Sequence, residues 1–301
     1  MNASPEPVEP EVVERVRAAK AARRASGFVY EERPRLAFIV HSFNRISNID
    51  QIVDGLRAAG AHELIVCDDG SVDGSRVRWL EHLDRPNDFL IHSNDLHEIR
   101  VTDRAISWAR SEIVCLVQDD DVIPDEASWV QTALDHFSAD PALAIIGGFM
   151  GFQSFDPDPA VAVPFWGRSE FRYVHHVNIG PYFIRRTSYQ QLGGWDHNFS
   201  APGDPGICFE SELCLRAWTK GYRVGYSFVP LKGAAGHYAM DGGTMLFAPH
   251  ERERNRLANS RRIFERYASR TAEIDALVEH ANLQRQQYYD AANPGGGVCR
   301  S

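Results

Sequence analysis

Two short acidic stretches hold the side chains best able to do chemistry. Asp68-Asp69-Gly70-Ser71 follows the apolar residues 64–67, and Asp119-Asp120-Asp121 follows the apolar residues 113–117. Carboxylates set side by side repel one another, so at a buried rim they need a cation. Oxygen ligands with one side open suit Mg²⁺ or Mn²⁺, ions that bridge substrate phosphates. The plainer reading of either stretch alone is a solvated turn that caps the next helix. Two such stretches at equivalent positions favour the cation. Gly70 suits a tight turn close to a ligand, and Ser71 can cap a helix. Glu210 falls near the start of a helical stretch, where a first-turn glutamate is also favoured by the helix dipole.

A sheet must position these groups. Residues 36–40 form a continuous apolar run, the pattern of a strand buried on both faces. Residues 63–67, 88–92, 113–117 and 143–149 read as further strands. Between them Ile49, Ile52, Val53 and Leu56 recur at helical spacing, with Ser47 or Asn48 as N-cap. Residues 72–83 can form a helix. Val101, Ala105, Ile106 and Trp108 mark another, and Trp129, Val130, Leu134 and Phe137 one more. Strands alternating with helices predict an α/β fold around a mostly parallel sheet flanked by helices. In such a sheet ligands bind outside the carboxyl ends of the strands, where both acidic stretches fall. Further on, a helix over 209–220, a strand over 222–229 and a charged helical stretch over 250–289 are expected. Residues 152–170 read as an irregular loop or hairpin. Trp166, Phe171, Tyr173, His175 and His176 either line an acceptor groove or pack a hairpin.

Composition removes several classes. The chain has 301 residues, 44% hydrophobic and 24% charged, which suits one large α/β domain with extensions or two domains. A net charge of −9 argues against non-specific nucleic-acid binding and against a polybasic membrane patch. The longest apolar run, 142–152, falls short of the roughly 18 residues that a transmembrane helix needs. The first residues show no basic n-region and no apolar h-region, so no secretory signal is expected. Five cysteines with no C-x-x-C, two of them (Cys67 and Cys115) inside apolar runs, suit a reduced cytoplasm. No G-x-x-x-x-G-K-[ST], G-x-G-x-x-G or G-x-S-x-G occurs, and His97-Glu98 lacks the second histidine of H-E-x-x-H. The first ten residues read as disordered, and 291–301 as a flexible tail.

Four motifs in order carry a resemblance. They are L-A-F-I-V-H-S-F-N-R (36–45), E-L-I-V-C-D-D-G-S-V-D-G-S (63–75), V-C-L-V-Q-D-D-D-V-I-P (114–124), and G-G-W-D (193–196) followed by E-S-E-L-C-L-R-A-W-T-K-G-Y-R-V (210–224). Together they resemble the family 2 glycosyltransferases of GT-A fold, over about residues 34–238. The resemblance implies transfer of a sugar from a nucleotide-diphosphate donor to an acceptor hydroxyl, with inversion and a divalent metal, Mn²⁺ or Mg²⁺. The acceptor is a saccharide, lipid carrier, protein or small metabolite. It implies that Ser42 and Phe43 pack on the nucleotide and that Asp68 and Asp69 form the acidic pair at the base. Asp119 would sit beside the donor, with Asp120, Asp121 and His237 at the metal. Glu210 would be the general base, with Glu212 and Arg216 following it, Arg216 at the donor.

The chain departs from the family pattern at four places. Gln118 replaces the first Asp of D-x-D, His41 a proline, and Phe209-Glu210 an E-D pair. Thr102-Asp103 stands for an Arg-Asn pair, which Arg100 or Arg104 could replace. The division implied is an arm over 1–33 and a transferase domain over 34–249. That domain has a nucleotide-sugar half (34–123) and an acceptor half (124–249), and a helical extension covers 250–301. Two other readings stand beside it: a non-catalytic sugar-nucleotide-binding protein with a degenerate site, and an aspartate-based phosphotransferase.

Overall fold

A computed structural model describes residues 10–25, 35–94, 96–154, 164–166, 170–201, 203–231 and 248–292. His237, residues 1–9 and the tail from 293 lie outside the described residues. The chain divides into two compact units, residues 1–33 and 34–301. Within the first, helix α1 spans Pro10–Ala25.

The second unit opens with four strands, β1 (Leu36–Ser42), β2 (Leu64–Asp68), β3 (Phe89–His92) and β4 (Ile113–Gln118). Helices α2 (Ile49–Ala58), α3 (Ser75–His82) and α4 (His97–Trp108) alternate with them. Next come α5 (Ser128–Ala139), β5 (Leu143–Gly147), β6 (Met150–Phe152), β7 (Pro164–Trp166), β8 (Arg172–Tyr173) and β9 (His176–Val177). They are followed by β10 (Tyr182–Arg185), α6 (Arg186–Leu192), α7 (Phe209–Thr219) and β11 (Arg223–Tyr226). Two long helices close the unit, α8 (Pro249–Tyr267) and α9 (Thr271–Ala292).

Eight strands form one sheet in the order β3-β2-β1-β4-β10-β5-β11-β8, and β7-β6-β9 form a small second sheet. The pairs β1–β2, β1–β4, β2–β3 and β5–β11 are parallel. Strand β10 enters antiparallel between β4 and β5, and β8 lies antiparallel at an edge. This is the mostly parallel, helix-flanked α/β architecture expected of a GT-A fold. The apolar part of β1, Leu36–Val40, is buried throughout, which explains its unbroken hydrophobicity. Ile49, Ile52, Val53 and Leu56 are buried on one face of α2, as their spacing predicts. The antiparallel β10 was not legible: its apolar core is three residues long, too short for a period to show.

Helices α8 and α9 pack on the body. Ile263, Tyr267, Ile274, Val278 and Ala281 are buried. The Asn259 amide donates to the carbonyls of Phe199 and Ile207 at 2.8 and 2.9 Å. Asn282 exchanges hydrogen bonds with the Tyr173 backbone, and a His175 ring nitrogen lies 2.7 Å from an Asp275 oxygen. Phe171, Tyr173 and His175 are therefore packing residues beneath α9, which favours hairpin packing over a groove for these three.

Candidate active site

Strand register builds the rim. Ser42 stands opposite Asp68, Asp68 opposite His92, and His41 opposite Gln118. The loops after β1, β2 and β4 therefore leave the sheet side by side.

Hydrogen bonds sew the first two loops together. The Asn44 amide donates to Ser71 Oγ at 3.0 Å, and Asn44 Oδ1 accepts from the Val72 amide at 2.8 Å. Asp73 accepts from the Ile46 amide at 3.0 Å and from the Ser75 amide at 2.9 Å. Ser75 Oγ accepts from the Arg45 amide at 3.2 Å. Gly70 takes φ +87°, where a Cβ would lie 3.0 Å from Asn94 Oδ1. The β2 loop thus holds the β1 loop in place.

Asp69 has both oxygens satisfied. Oδ1 accepts from Ser93 Oγ at 2.7 Å and from the Leu96 amide at 2.9 Å, and Oδ2 accepts from the His97 amide at 2.7 Å. Burial opposes its charge, but His41, Ser93 and the Leu96 amide outweigh burial and hold this carboxyl well below the usual range. Asp68 is fully buried. One oxygen lies 3.1 Å from His92 Nδ1, and Oδ1 has no hydrogen-bond partner.

The acidic loop after β4 is held differently. The Asn48 amide group reaches from the start of α2 to the Asp119 carbonyl at 3.0 Å. Asp119 Oδ2 accepts from the Phe43 amide at 2.7 Å. The Arg45 guanidinium, 4% exposed, sits 3.3 Å from Asp119 Oδ1 and 2.9 Å from Asp120 Oδ2. Asp121 turns back beneath the loop and accepts from the Gln118 amide at 2.8 Å. Gly180 passes so close that a Cβ there would lie 2.7 Å from an Asp121 oxygen.

Burial dominates this loop's electrostatics. It pushes the Asp119 carboxyl up to about 6 against the pull of Arg45, and raises Asp121 strongly, with Asp120 adding to the effect. Glu98, in the first turn of α4, is pushed up to about 7 by burial, with His41 opposing and Asp120 and Asp119 adding. Sequence reasoning passed over Glu98 except as half of a failed zinc motif. It also passed over Arg45, a buried charge inside a motif that was otherwise read in full.

Glu210 opens α7 at the same rim. Tyr182, opposite Leu116 on β4, donates its hydroxyl to the Glu210 carbonyl at 3.4 Å. Cys208 before it takes φ +65°, a strained backbone for a side chain with a Cβ. Burial pushes the Glu210 carboxyl up to about 7, and Glu98 contributes in the same direction. His176 meets the next residue of α7, its Nδ1 3.1 Å from Ser211 Oγ, and its ring is stacked on Phe152 at 4.3 Å.

Three expected donor contacts make hydrogen bonds inside the chain. Ser42 Oγ accepts from Trp79 Nε1 at 2.9 Å, and Asp69 is saturated as described. Arg216 donates to the Leu192 and Gly194 carbonyls at 2.8 Å each, and pairs with Glu212 at 2.7 Å. Arg216 therefore shapes the G-G-W-D turn. A cavity of about 430 Å³ opens beside it, among Asp103, Trp195, Asp196, His197 and Arg266. The charges there already pair, Arg266 with Asp196 at 2.9 Å and His197 with Asp103 at 3.3 Å.

Among the described residues no three His, Cys, Asp or Glu side chains form a ready cage for a metal. Asp119 and Asp120 keep 11% and 13% of their side-chain surface exposed at the rim. That set fits a hard cation that takes one or two carboxylates and fills its other positions with phosphate and water.

Comparison with known proteins follows the geometry. Residues 37–193 match the model of the family described as Glycosyl transferase family 2. A glucosyl-dolichyl phosphate glucuronosyltransferase from Haloferax volcanii is 23% identical over 218 residues, 62% of this chain and 64% of that protein. The chain therefore matches less than two thirds of that curated relative's length. Among solved structures, S. aureus TarS with UDP-GlcNAc aligns at TM-score 0.49 and 16% identity, covering 70% of this chain and 60% of that one. A glucosyl-3-phosphoglycerate synthase from Mycobacterium tuberculosis with phosphoglyceric acid aligns at TM-score 0.48 and 14% identity, covering 90% and 87%.

Proposed function

The chain belongs to glycosyl transferase family 2, and on that premise we propose that it moves a sugar from a nucleotide-diphosphate donor to an acceptor hydroxyl with inversion. One observation carries this reading. The loops after β1, β2 and β4 leave the sheet at one rim, and the buried Asp119 and Asp121 and the partly buried Glu98 and Glu210 around it are carboxyls with raised pKa. Carboxylates that suppress each other's ionisation attract a cation and, in Glu210, leave a base poised near neutrality.

In the reaction, Glu210 accepts the proton of the acceptor hydroxyl as its oxygen attacks the anomeric carbon. The bond from that carbon to the diphosphate breaks, and the nucleoside diphosphate leaves with the electron pair. Asp120, with Asp119 beside it, would hold Mg²⁺ or Mn²⁺ against the diphosphate. When bound, the ion neutralises charge on the leaving oxygens. Phe43 and Asp68 border the nucleoside, Asp68 Oδ1 being a buried acceptor that wants a donor. His237 remains a proposed ligand of the diphosphate site. The acceptor class stays broad; the Haloferax relative's name makes a lipid-linked saccharide one class to assay. No helix among the described residues is long and apolar enough to cross a membrane. The four described cysteines are free thiols, in keeping with the cytoplasmic placement we propose.

A thermal-shift and turnover screen of nucleotide sugars with Mn²⁺ tests the reading, because a ligand that binds only the folded state raises Tm. One donor should stabilise the protein only with the metal present, and Asp120→Asn should abolish that shift. A protein that no nucleotide sugar stabilises, with or without Mn²⁺, refutes the proposal. Donor binding with no transfer to any acceptor would instead favour the non-catalytic binding protein, which Gln118 and Phe209 suggest.

A further inference from the structure

The acidic loop already lies against a cation of the protein itself. Of its three carboxylates, Asp121 is turned back onto the Gln118 amide, and the two that reach the rim both lie against one arginine. Arg45 is 5% exposed as a residue. Its backbone amide is fixed on Ser75 Oγ and its neighbour Asn44 is bound to Ser71 and Val72, so the β2 loop fixes where the guanidinium can reach. Its Nε faces Asp119 and its Nη1 faces Asp120, at 3.3 and 2.9 Å. A buried guanidinium between two carboxylates cannot leave for water without exposing them to each other's repulsion. Gln118 adds no charge at the position where the family resemblance expects an acid.

We propose that Arg45 is the resident counter-charge of the acidic loop and makes divalent-cation binding conditional on the donor's diphosphate. Arg45 cancels one of the two charges that face the rim, which leaves one, too few to strip a hydrated Mg²⁺ or Mn²⁺ of its water. The diphosphate brings the missing negative charge and oxygen ligands. Arg45 then stays beside the leaving group as a second, fixed positive charge. The protein therefore holds its loop in working shape before substrate arrives and takes up the ion together with the donor. The role rests on the proposed site, since it needs the loop to face a diphosphate.

Direct Mn²⁺ titration read by the electron paramagnetic resonance of the free ion tests it. Inorganic pyrophosphate serves as the diphosphate probe, and its own uptake of Mn²⁺ is subtracted with a protein-free titration. Wild-type protein should bind Mn²⁺ weakly alone and at least roughly tenfold more tightly with pyrophosphate present. Arg45→Gln should bind Mn²⁺ alone roughly tenfold more tightly than wild type, because Asp119 and Asp120 are released. Arg45→Lys, which keeps the charge, should stay close to wild type. Equal Mn²⁺ affinity of wild type and Arg45→Gln overturns the role of Arg45. Should Arg45→Gln fail to fold, Arg45→Met against Arg45→Lys decides: the neutral variant must bind Mn²⁺ more tightly. A gain in Arg45→Gln with no effect of pyrophosphate on either protein keeps the counter-charge but removes the diphosphate, and with it the proposed metal-assisted donor site.

Discussion

The loops after β2 and β4 are both acidic and leave the same rim, yet they carry their charge in opposite ways. In the β2 loop, Asp69 collects a hydroxyl and two amides, and Asp73 collects two amides. Both carboxyls sit below their ordinary range. In the β4 loop, Asp119 and Asp121 are buried, Asp119 accepts from the Phe43 amide and Asp121 from the Gln118 amide, and both are raised. The same contrast recurs two residues apart on α7. Glu212 is gripped by Arg216, Arg266 and the Tyr267 hydroxyl at 2.7 to 2.8 Å. Glu210 is pushed up to about 7 by burial. A carboxylate supplied with donors stabilises the fold, whereas one buried with few donors costs stability and is available for chemistry.

Substitutions can break this contrast, and the largest effect is expected at Glu210. Glu210→Gln should lower kcat by roughly 10²- to 10⁴-fold and leave donor Kd unchanged. Steady-state kinetics beside donor titration check this, and a variant of full activity removes Glu210 as base. Glu212→Ala should do the reverse, costing about 3–5 kcal/mol of stability by stranding Arg216 and Arg266, measured by urea unfolding. Asp69→Ala should cost about 1–3 kcal/mol, since it leaves the Leu96 and His97 amides without their acceptor. Loss of activity in Asp69→Ala without loss of stability would erase the distinction between the loops.

The smallest effect sharpens the comparison through pH. Glu98, Asp119 and Glu210 have folded pKa values of about 7, 6 and 7, above their ordinary ones. Between about pH 4 and pH 7 the folded protein therefore holds more protons at these groups than the unfolded chain does. Their contribution to stability is present below that window and is lost as pH rises through it. Thermal melts should show a smaller fall in Tm from pH 5 to pH 8 in Glu98→Gln than in wild type. Parallel curves would show that Glu98 is not held protonated. For Glu210 the same shift predicts that turnover rises with pH through about 7, because the base must lose its proton.

Much of this was legible in the amino-acid order. The unbroken apolar runs of β1, β2 and β4 announced buried parallel strands, and a carboxylate directly after such a run has to emerge at a sheet rim. Those local facts gave the α/β class, the acidic loops and the family resemblance. The hydrogen bonds that engage Ser42, Asp69 and Arg216 were not legible, because Trp79, Ser93 and the Leu192 carbonyl lie far along the chain. Glu98 was hidden for the same reason, as its partners come from other loops. Whether a charge binds or braces depends on how many donors reach it and how much water remains. Residue type and spacing fix where a carboxylate leaves its strand, and only tertiary packing brings Arg45 to Asp120 and withholds it from Glu210.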